Sequence, residues 1–382
     1  MNTASKRYIE FVRSLYSTKG RIGLHEPVFF GNEKKYLSDA IDSTFVSSVG
    51  PYVEKFEEMI CNYTGSPYAV ATTNGTSALH ISLICAGVEE GDEVITQPLS
   101  FVATCNAIAY LNASPIFVDI DKDTLGLCPK NLKQFLNQET YVKNSICYNK
   151  KTKKAVKACV PMHTFGHICR IKEIVEICKE FNIEVIEDAA ESLGSQLDGR
   201  HAGTFGSLGI ISFNGNKIVT CGGGGIILTN NEDHAKRAKD LSTTSRKISD
   251  FQYFHSEVGF NYRLPNINAA LGCAQLEQIG LFLNSKRKLA NDYQEFFSEI
   301  GIEFLQERAN SKSNYWLNTI FFTDEKERMD FLSYTNENMI ETRGAWVLLN
   351  KLDPYKACQT YEISNAESIS KSLVNIPSSV IT

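Results

Sequence analysis

No run of this 382-residue sequence stays apolar for the roughly 18–20 residues needed to cross a bilayer. A strong excess of basic residues is also absent: the formal net charge is -5, which excludes a general nucleic-acid binder. The polar start, Met1–Arg7, lacks the apolar core of a secretory leader, and the eleven cysteines contain no CxxC pair. Several, such as Cys61, Cys85 and Cys159, fall in apolar runs, where a reduced cysteine is a small core residue. A reduced, cytoplasmic protein is the expectation. There is no internal repeat and no low-complexity segment, and the basic run Lys150–Lys157 reads as a solvated loop.

Short apolar runs alternate with helical patterns between Tyr68 and Thr229. The runs Tyr68–Thr72, Glu93–Gln97, Pro115–Ile120, Lys157–Met162, Ile183–Glu187, Leu208–Phe213 and Gly225–Thr229 are predicted strands. Helices are expected at Thr76–Ala86, Val102–Leu111, Pro129–Leu136 and Ile171–Lys179. That alternation predicts an α/β fold with a mainly parallel sheet covered on both faces, and the Val- and Ile-rich strands agree with burial on both sides. Beyond Asn266 the texture changes to long helices, Ile267–Leu281 and Arg287–Ile300, then a strand at Tyr315–Phe322 and a helix at Glu325–Tyr334. The expected division is a large unit over 1–265 and a smaller α+β unit over 266–382.

Three segments carry candidate chemistry. In Ser212-Phe213-Asn214-Gly215-Asn216-Lys217, followed by Gly222–Gly225, an apolar strand runs into a polar turn, one lysine and four glycines. A P-loop would place the lysine after the glycines and follow it with Ser or Thr, so a nucleoside-triphosphatase site is excluded. A lysine between two buried strands is either desolvated, and then a good Schiff-base nucleophile, or an ordinary exposed residue of a hairpin. In Val185-Ile186-Glu187-Asp188-Ala189-Ala190-Glu191, a strand delivers three carboxylates to its carboxyl end, where open α/β sheets bind ligands. Metal binding, partnership with a protonated ring nitrogen and a helix-cap role for Asp188 all remain open there. In Thr73-Asn74-Gly75-Thr76-Ser77, a strand end enters a helix whose free N–H groups suit a phosphate. Phe101 is placed to lie over a flat ring, or in the core. The run Cys159–Cys169 holds two cysteines and two histidines, but their spacing matches no structural zinc site, so no metal is expected and His163 is read as facing the active site.

Together these pieces resemble the DegT/DnrJ/StrS family of pyridoxal-phosphate (PLP)-dependent sugar aminotransferases, from Phe45–Pro51 to Asn375–Ser379. Leu24-His25-Glu26-Pro27, Ser212–Lys217 and Gly259–Ala270 carry a narrower likeness to LegC-type enzymes, which aminate C4 of a nucleotide-linked 4-keto-6-deoxy-hexose. The resemblance implies PLP-dependent transferase fold type I, like aspartate aminotransferase, in a homodimer with shared active sites. It implies Lys217 as the Schiff-base lysine, Asp188 as partner of the pyridinium nitrogen and Phe101 stacked on the ring. Thr76, Ser77 and Ser212 would hold the cofactor phosphate, with Asn261 reaching it from the other subunit, and His163 and His25 would face the substrate. Glu191 stands where many relatives have Gln, and Arg343–Asn350 departs from the family's Pro- and His-containing pattern. L-glutamate is the implied donor, and a UDP-linked acetamido sugar, ahead of a GDP-linked one, the implied acceptor. A catalytically silent, regulatory sugar-nucleotide binder is the alternative; a cysteine desulfurase ranks last, since no cysteine falls in a mobile Gly-rich loop.

Overall fold

The structure, a computed structural model, describes residues 3–249 and 252–381. Its main sheet contains β1 (Tyr68–Thr72), β2 (Glu93–Thr96), β3 (Ser114–Val118), β4 (Val156–Val160), β5 (Glu184–Asp188), β6 (Leu208–Ser212) and β7 (Gly225–Thr229). Their spatial order is β1-β7-β6-β5-β4-β2-β3, with the short strand Thr360–Tyr361 added beside β3. The pairs β6–β5, β5–β4, β4–β2 and β2–β3 are parallel. Only β7 runs against its neighbours. The reason is local: Phe213–Gly224 contains no helix to carry the chain back across the sheet, so β7 must return antiparallel.

The strands are apolar on consecutive residues because each face meets its own core. Val70, Val94, Val160, Ile186, Ile210 and Ile227 enter one cluster, while Ala71, Ile95, Cys159, Val185, Ile211 and Ile226 enter the other. Strand periodicity is still two; both faces are dry. This is the expected α/β, mainly parallel architecture.

A second sheet, in the order Glu303–Phe304, Asn318–Phe321, Leu373–Ile376, Arg343–Gly344, is antiparallel throughout. It packs with helices Ile279–Ile300 and Glu325–Glu337 and with the chain's first helix, Thr3–Leu15, through Tyr8, Val12, Tyr293, Phe297 and Phe331. Helix Asn266–Leu276 instead sends Ala269, Cys273 and Leu276 into the large unit's core, against Phe56 of helix Pro51–Thr64. Leu305, Trp316, Leu317 and Leu373 lie in that same cluster, so its packing sets no boundary at Leu276, and we keep as a proposal the division at residue 265, with Thr3–Leu15 packed on the smaller unit. The eleven cysteines are all free, and no described helix is long and apolar enough to cross a membrane.

Candidate active site

The site forms at the carboxyl ends of β5 and β6. At the end of β5 consecutive side chains diverge, as in any strand. Glu187 turns into the protein, accepting from the backbone amides of Gly203 (2.9 Å), Phe205 and Gly206 (2.6 Å) and pairing with His163 Nε2 at 2.9 Å. Asp188 turns into a cavity of about 300 Å³ that also receives Lys217 and Glu191. Its Oδ2 accepts from the Thr104 hydroxyl at 2.7 Å and its Oδ1 from the Ala190 amide at 3.2 Å. Burial raises the Asp188 pKa above the usual carboxylate range; the Thr104 and Ala190 hydrogen bonds and the charge of Lys217 oppose that rise.

Lys217 comes from the loop after β6, and its side chain is 13% exposed. Its Nζ lies 3.4 Å from Glu191 Oε1 and 3.9 Å from the ring centre of Trp316. Trp316 is fixed in turn by donating from Nε1 to the carbonyl of Asn216, at 2.8 Å. The lysine amine is thus held between a carboxylate and an aromatic face, largely away from water, which decides against the exposed-hairpin reading. Glu191 Oε2 accepts from the Phe165 amide at 2.9 Å. Burial pushes the Glu191 pKa up to about 7, against the lowering effect of Lys217.

The opposite end of the cavity suits an anion. Helix Gly75–Cys85 starts there, lined by Gly75, Thr76 and Ser212. The approach is close: a Cβ on Gly75 would come within 3.0 Å of Ser212 Cβ. First-turn amides have no acceptor inside a helix. Asn74 Oδ1 takes the amide of Ser77 at 2.8 Å, so the Ser77 amide is capped by its own chain, while Gly75, Thr76 and Ser212 line the cavity beside it.

Of the other candidates, Phe101 lines the cavity and is 51% exposed, open to a flat ligand. His163 is fully buried behind the site, with the Cys169 amide on Nδ1 at 3.3 Å and Glu187 on Nε2, and does not line the cavity. His25 is also outside the lining; burial and the charges of Lys286 and Lys217 hold its pKa well below the usual histidine value. Asn261 is exposed away from the cavity, its Oδ1 accepting from Arg263 at 3.1 Å. Cys159 and Cys169 are core residues, and among the described residues no three His, Cys, Asp or Glu side chains are grouped to hold a metal. A wider cleft of about 850 Å³ passes Lys122, Gln294 and Arg308, but none of the groups just described reaches it.

A model of the DegT/DnrJ/EryC1/StrS aminotransferase family matches residues 30–381. The chain belongs to that family. It is 35% identical over 358 residues to GDP-perosamine synthase of Escherichia coli O157:H7, covering 94% of this chain and 93% of the relative. It is also 35% identical to the putative pyridoxal phosphate-dependent aminotransferase EpsN of Bacillus subtilis (strain 168), over 92% of this chain and 88% of that protein. Among solved structures, Helicobacter pylori PseC, an aminotransferase involved in the biosynthesis of pseudoaminic acid, superposes with a TM-score of 0.84 at 22% identity, covering 94% of this chain and 93% of PseC. The fold is that of PLP-dependent transferases of type I, and the chain is an aminotransferase.

Sequence reasoning named Arg343 and Trp346 of this aminotransferase site only within the departing segment Arg343–Asn350, and passed over Trp316 and Thr104. Trp316 and Trp346 both line the cavity, and they are the chain's only two tryptophans. That scarcity was the available signal. Trp346 packs 5.0 Å from Phe165 and 6.2 Å from Phe101, ring centre to ring centre. Thr104 and Arg343 belong here too, brought in by tertiary contacts.

Glu191 yields a pH prediction. Its folded pKa of about 7 exceeds its ordinary value of 4.5, so folding favours the protonated acid. The stability this contributes is complete below pH 4.5 and is lost as pH rises through about 7. Glu191→Gln removes that dependence together with the coupling of Glu191 to Asp188. The melting temperature of the cofactor-free wild type, relative to the variant, is expected to fall between pH 5 and pH 8. A difference that does not change with pH would refute the assignment.

Proposed function

We propose that this aminotransferase uses PLP to move an amino group from L-glutamate to C4 of a nucleotide-linked 4-keto-6-deoxy-hexose, in the making of a bacterial surface glycan or nonulosonic-acid-type sugar. The observation that carries the reading is Lys217: a shielded amine in one cavity with a buried Asp188 and a phosphate-ready helix start. These residues fit the cofactor. PLP, when bound, supplies an aldehyde for a lysine and a sink for the electrons left when a substrate carbon loses its proton.

The chain's own groups perform the rest. Lys217 would hold the cofactor and would carry the proton as base and then acid. Asp188, fixed by Thr104 and Ala190, presents a carboxylate to a ring nitrogen. Glu191, beside Lys217, would offer its carboxyl group to the cofactor. Phe101 would cover the ring, while Thr76 and Ser212 would hold the phosphate. Trp316 keeps water from the lysine.

Asn261, exposed here, would complete the phosphate site of a second copy in a homodimer. The exposed apolar residues Phe29, Phe30 and Leu281, around a hollow shared with Val28, Val380 and Ile381, support such a partner. Sedimentation at twice the 42.7 kDa chain mass is the expected result.

The experiment that tests the reading incubates the chain with PLP, L-glutamate and a panel of UDP-, GDP- and dTDP-linked 4-keto sugars, measuring 2-oxoglutarate and the amino sugar. The relatives named GDP-perosamine synthase place GDP beside UDP in that panel. Sugar-nucleotide binding without 2-oxoglutarate would support the silent, regulatory reading instead. No cysteine lines the cavity, so a desulfurase has no sulfur acceptor there.

A further inference from the structure

We propose that Lys286, buried outside the cavity, is a positioning residue of the reaction: its amine holds the main chain of Trp316, and through it the indole against the amine of Lys217. This rests on the aminotransferase reading and adds to it a residue one layer behind the site.

Lys286 lies on helix Ile279–Ile300 with no part of its side chain exposed. Its Nζ donates to the carbonyl of Trp316 at 3.2 Å and to that of Ser378. Among the described residues no carboxylate pairs with it, and burial holds its pKa well below the usual lysine value. An amine taken out of water is a costly core group, where methionine would fill the same space. What the amine does is satisfy two carbonyls that lie outside the helices and strands. Trp316 comes just before the strand Asn318–Phe321. Tyr315, beside it, takes a left-handed φ of 47°, a conformation that costs an aromatic residue energy and persists only where contacts over-determine it. Three contacts do so: Asn314 Oδ1 accepts from the Trp316 amide at 2.8 Å, the Asn216 carbonyl accepts from the indole Nε1 at 2.8 Å, and Lys286 donates to the Trp316 carbonyl.

The first two anchors lead to the reacting group. Asn216 precedes Lys217, and Asn314 Nδ2 donates in turn to the carbonyl of Glu191 at 2.8 Å. Lys286 closes the frame from behind, where Ser378 gives its amide to the Leu24 carbonyl at 2.7 Å, next to His25. The His25 ring lies 6.4 Å from the ring of Trp316. Neither His25 nor Lys286 brings a negative charge, so from that side the ring face, 3.9 Å from Nζ, is what favours a cation on the Lys217 nitrogen. A Trp316 carbonyl left buried without its donor would relax the turn at Tyr315 and carry the indole off the amine.

The test compares wild type, Lys286→Met, Trp316→Leu and the double variant as full chains loaded with PLP. The visible band of the lysine–cofactor linkage changes as that linkage loses its proton, and the midpoint of the change is read against pH. Trp316→Leu, which keeps an apolar wall without a ring face, is expected to lower the midpoint by about 0.5 pH unit or more. Lys286→Met is expected to lower it by a similar amount, and the double variant no further, since both act through one ring. Glu191 and Asp188 face Lys217 in every variant, so the difference reads the ring. A readout without cofactor is near-ultraviolet circular dichroism in a Trp346→Phe background, where Trp316 is the only indole and its signal is expected to weaken in Lys286→Met. An unmoved midpoint or an unchanged signal in Lys286→Met overturns the proposal, whatever its melting temperature, and so does a shift that adds to that of Trp316→Leu. If the methionine variant does not fold, Lys286→Gln, one atom shorter and unable to hold both carbonyls, decides by the same criteria. A wild-type chain that stays colourless with PLP overturns the functional reading, and the proposal with it; a coloured chain whose midpoint ignores Lys286→Met overturns the proposal alone.

Discussion

Lys217→Ala is expected to lower turnover by about 10³-fold or more, because one side chain supplies both the covalent attachment and the proton transfer. No neighbour substitutes for it. The other residues whose side chains meet its amine are Glu191, an acid, and Trp316, which has no basic group. The wild-type protein should show a visible band with PLP that borohydride fixes irreversibly to the chain. The alanine variant should lose the fixation while its melting curve stays cooperative. Borohydride labelling that persists in the variant would place the attachment on another lysine and remove the foundation of the proposed mechanism.

Asp188→Asn is the second large effect, with an expected loss of about 10²-fold or more in kcat. The substitution keeps the shape and a hydrogen-bonding capacity toward Thr104 and Ala190, so the fold should persist. What it removes is the charge that a protonated ring nitrogen needs, and with it the drain for the substrate carbon's electrons. PLP should also dissociate more readily, which dialysis followed by absorbance measures directly. Activity within a few-fold of wild type would mean that the ring nitrogen finds its partner elsewhere.

Much of this site was legible because strands announce their own ends. Asp188 and Ser212 each lie at the carboxyl end of an apolar run, where an open sheet places ligands, and the glycine-rich stretch after Lys217 marks a close approach of backbones. The seven main strands were recognisable as runs of Val, Ile, Leu and Ala between turn residues, within one or two residues at their ends, because both faces of the sheet are buried. The short strands were not. Arg343–Gly344 and Thr360–Tyr361 span two residues each and have no period to detect. The helix Thr3–Leu15 was missed as a partner of the smaller sheet, because packing between chain ends leaves no local mark.

His163 shows the limit most clearly. Its place just after a strand pointed toward the cavity, and the same feature in Asp188 proved informative. Yet Glu187, the residue before Asp188, takes the imidazole from behind through a 2.9 Å contact, and the ring is shut off from the site. Sequence alone determined the strand order's raw material, the acidic strand end, the lone lysine before its glycines and the family motifs, because these depend on neighbours along the chain. Only the tertiary structure decided that Trp316 would lie on the lysine amine, that Thr104 would hold Asp188, and that Arg343 would face the same cavity from the smaller sheet. Thr104 and Asp188 lie 84 positions apart in the chain, and which side chain meets which is set by how two sheets and their helices pack, not by local preference.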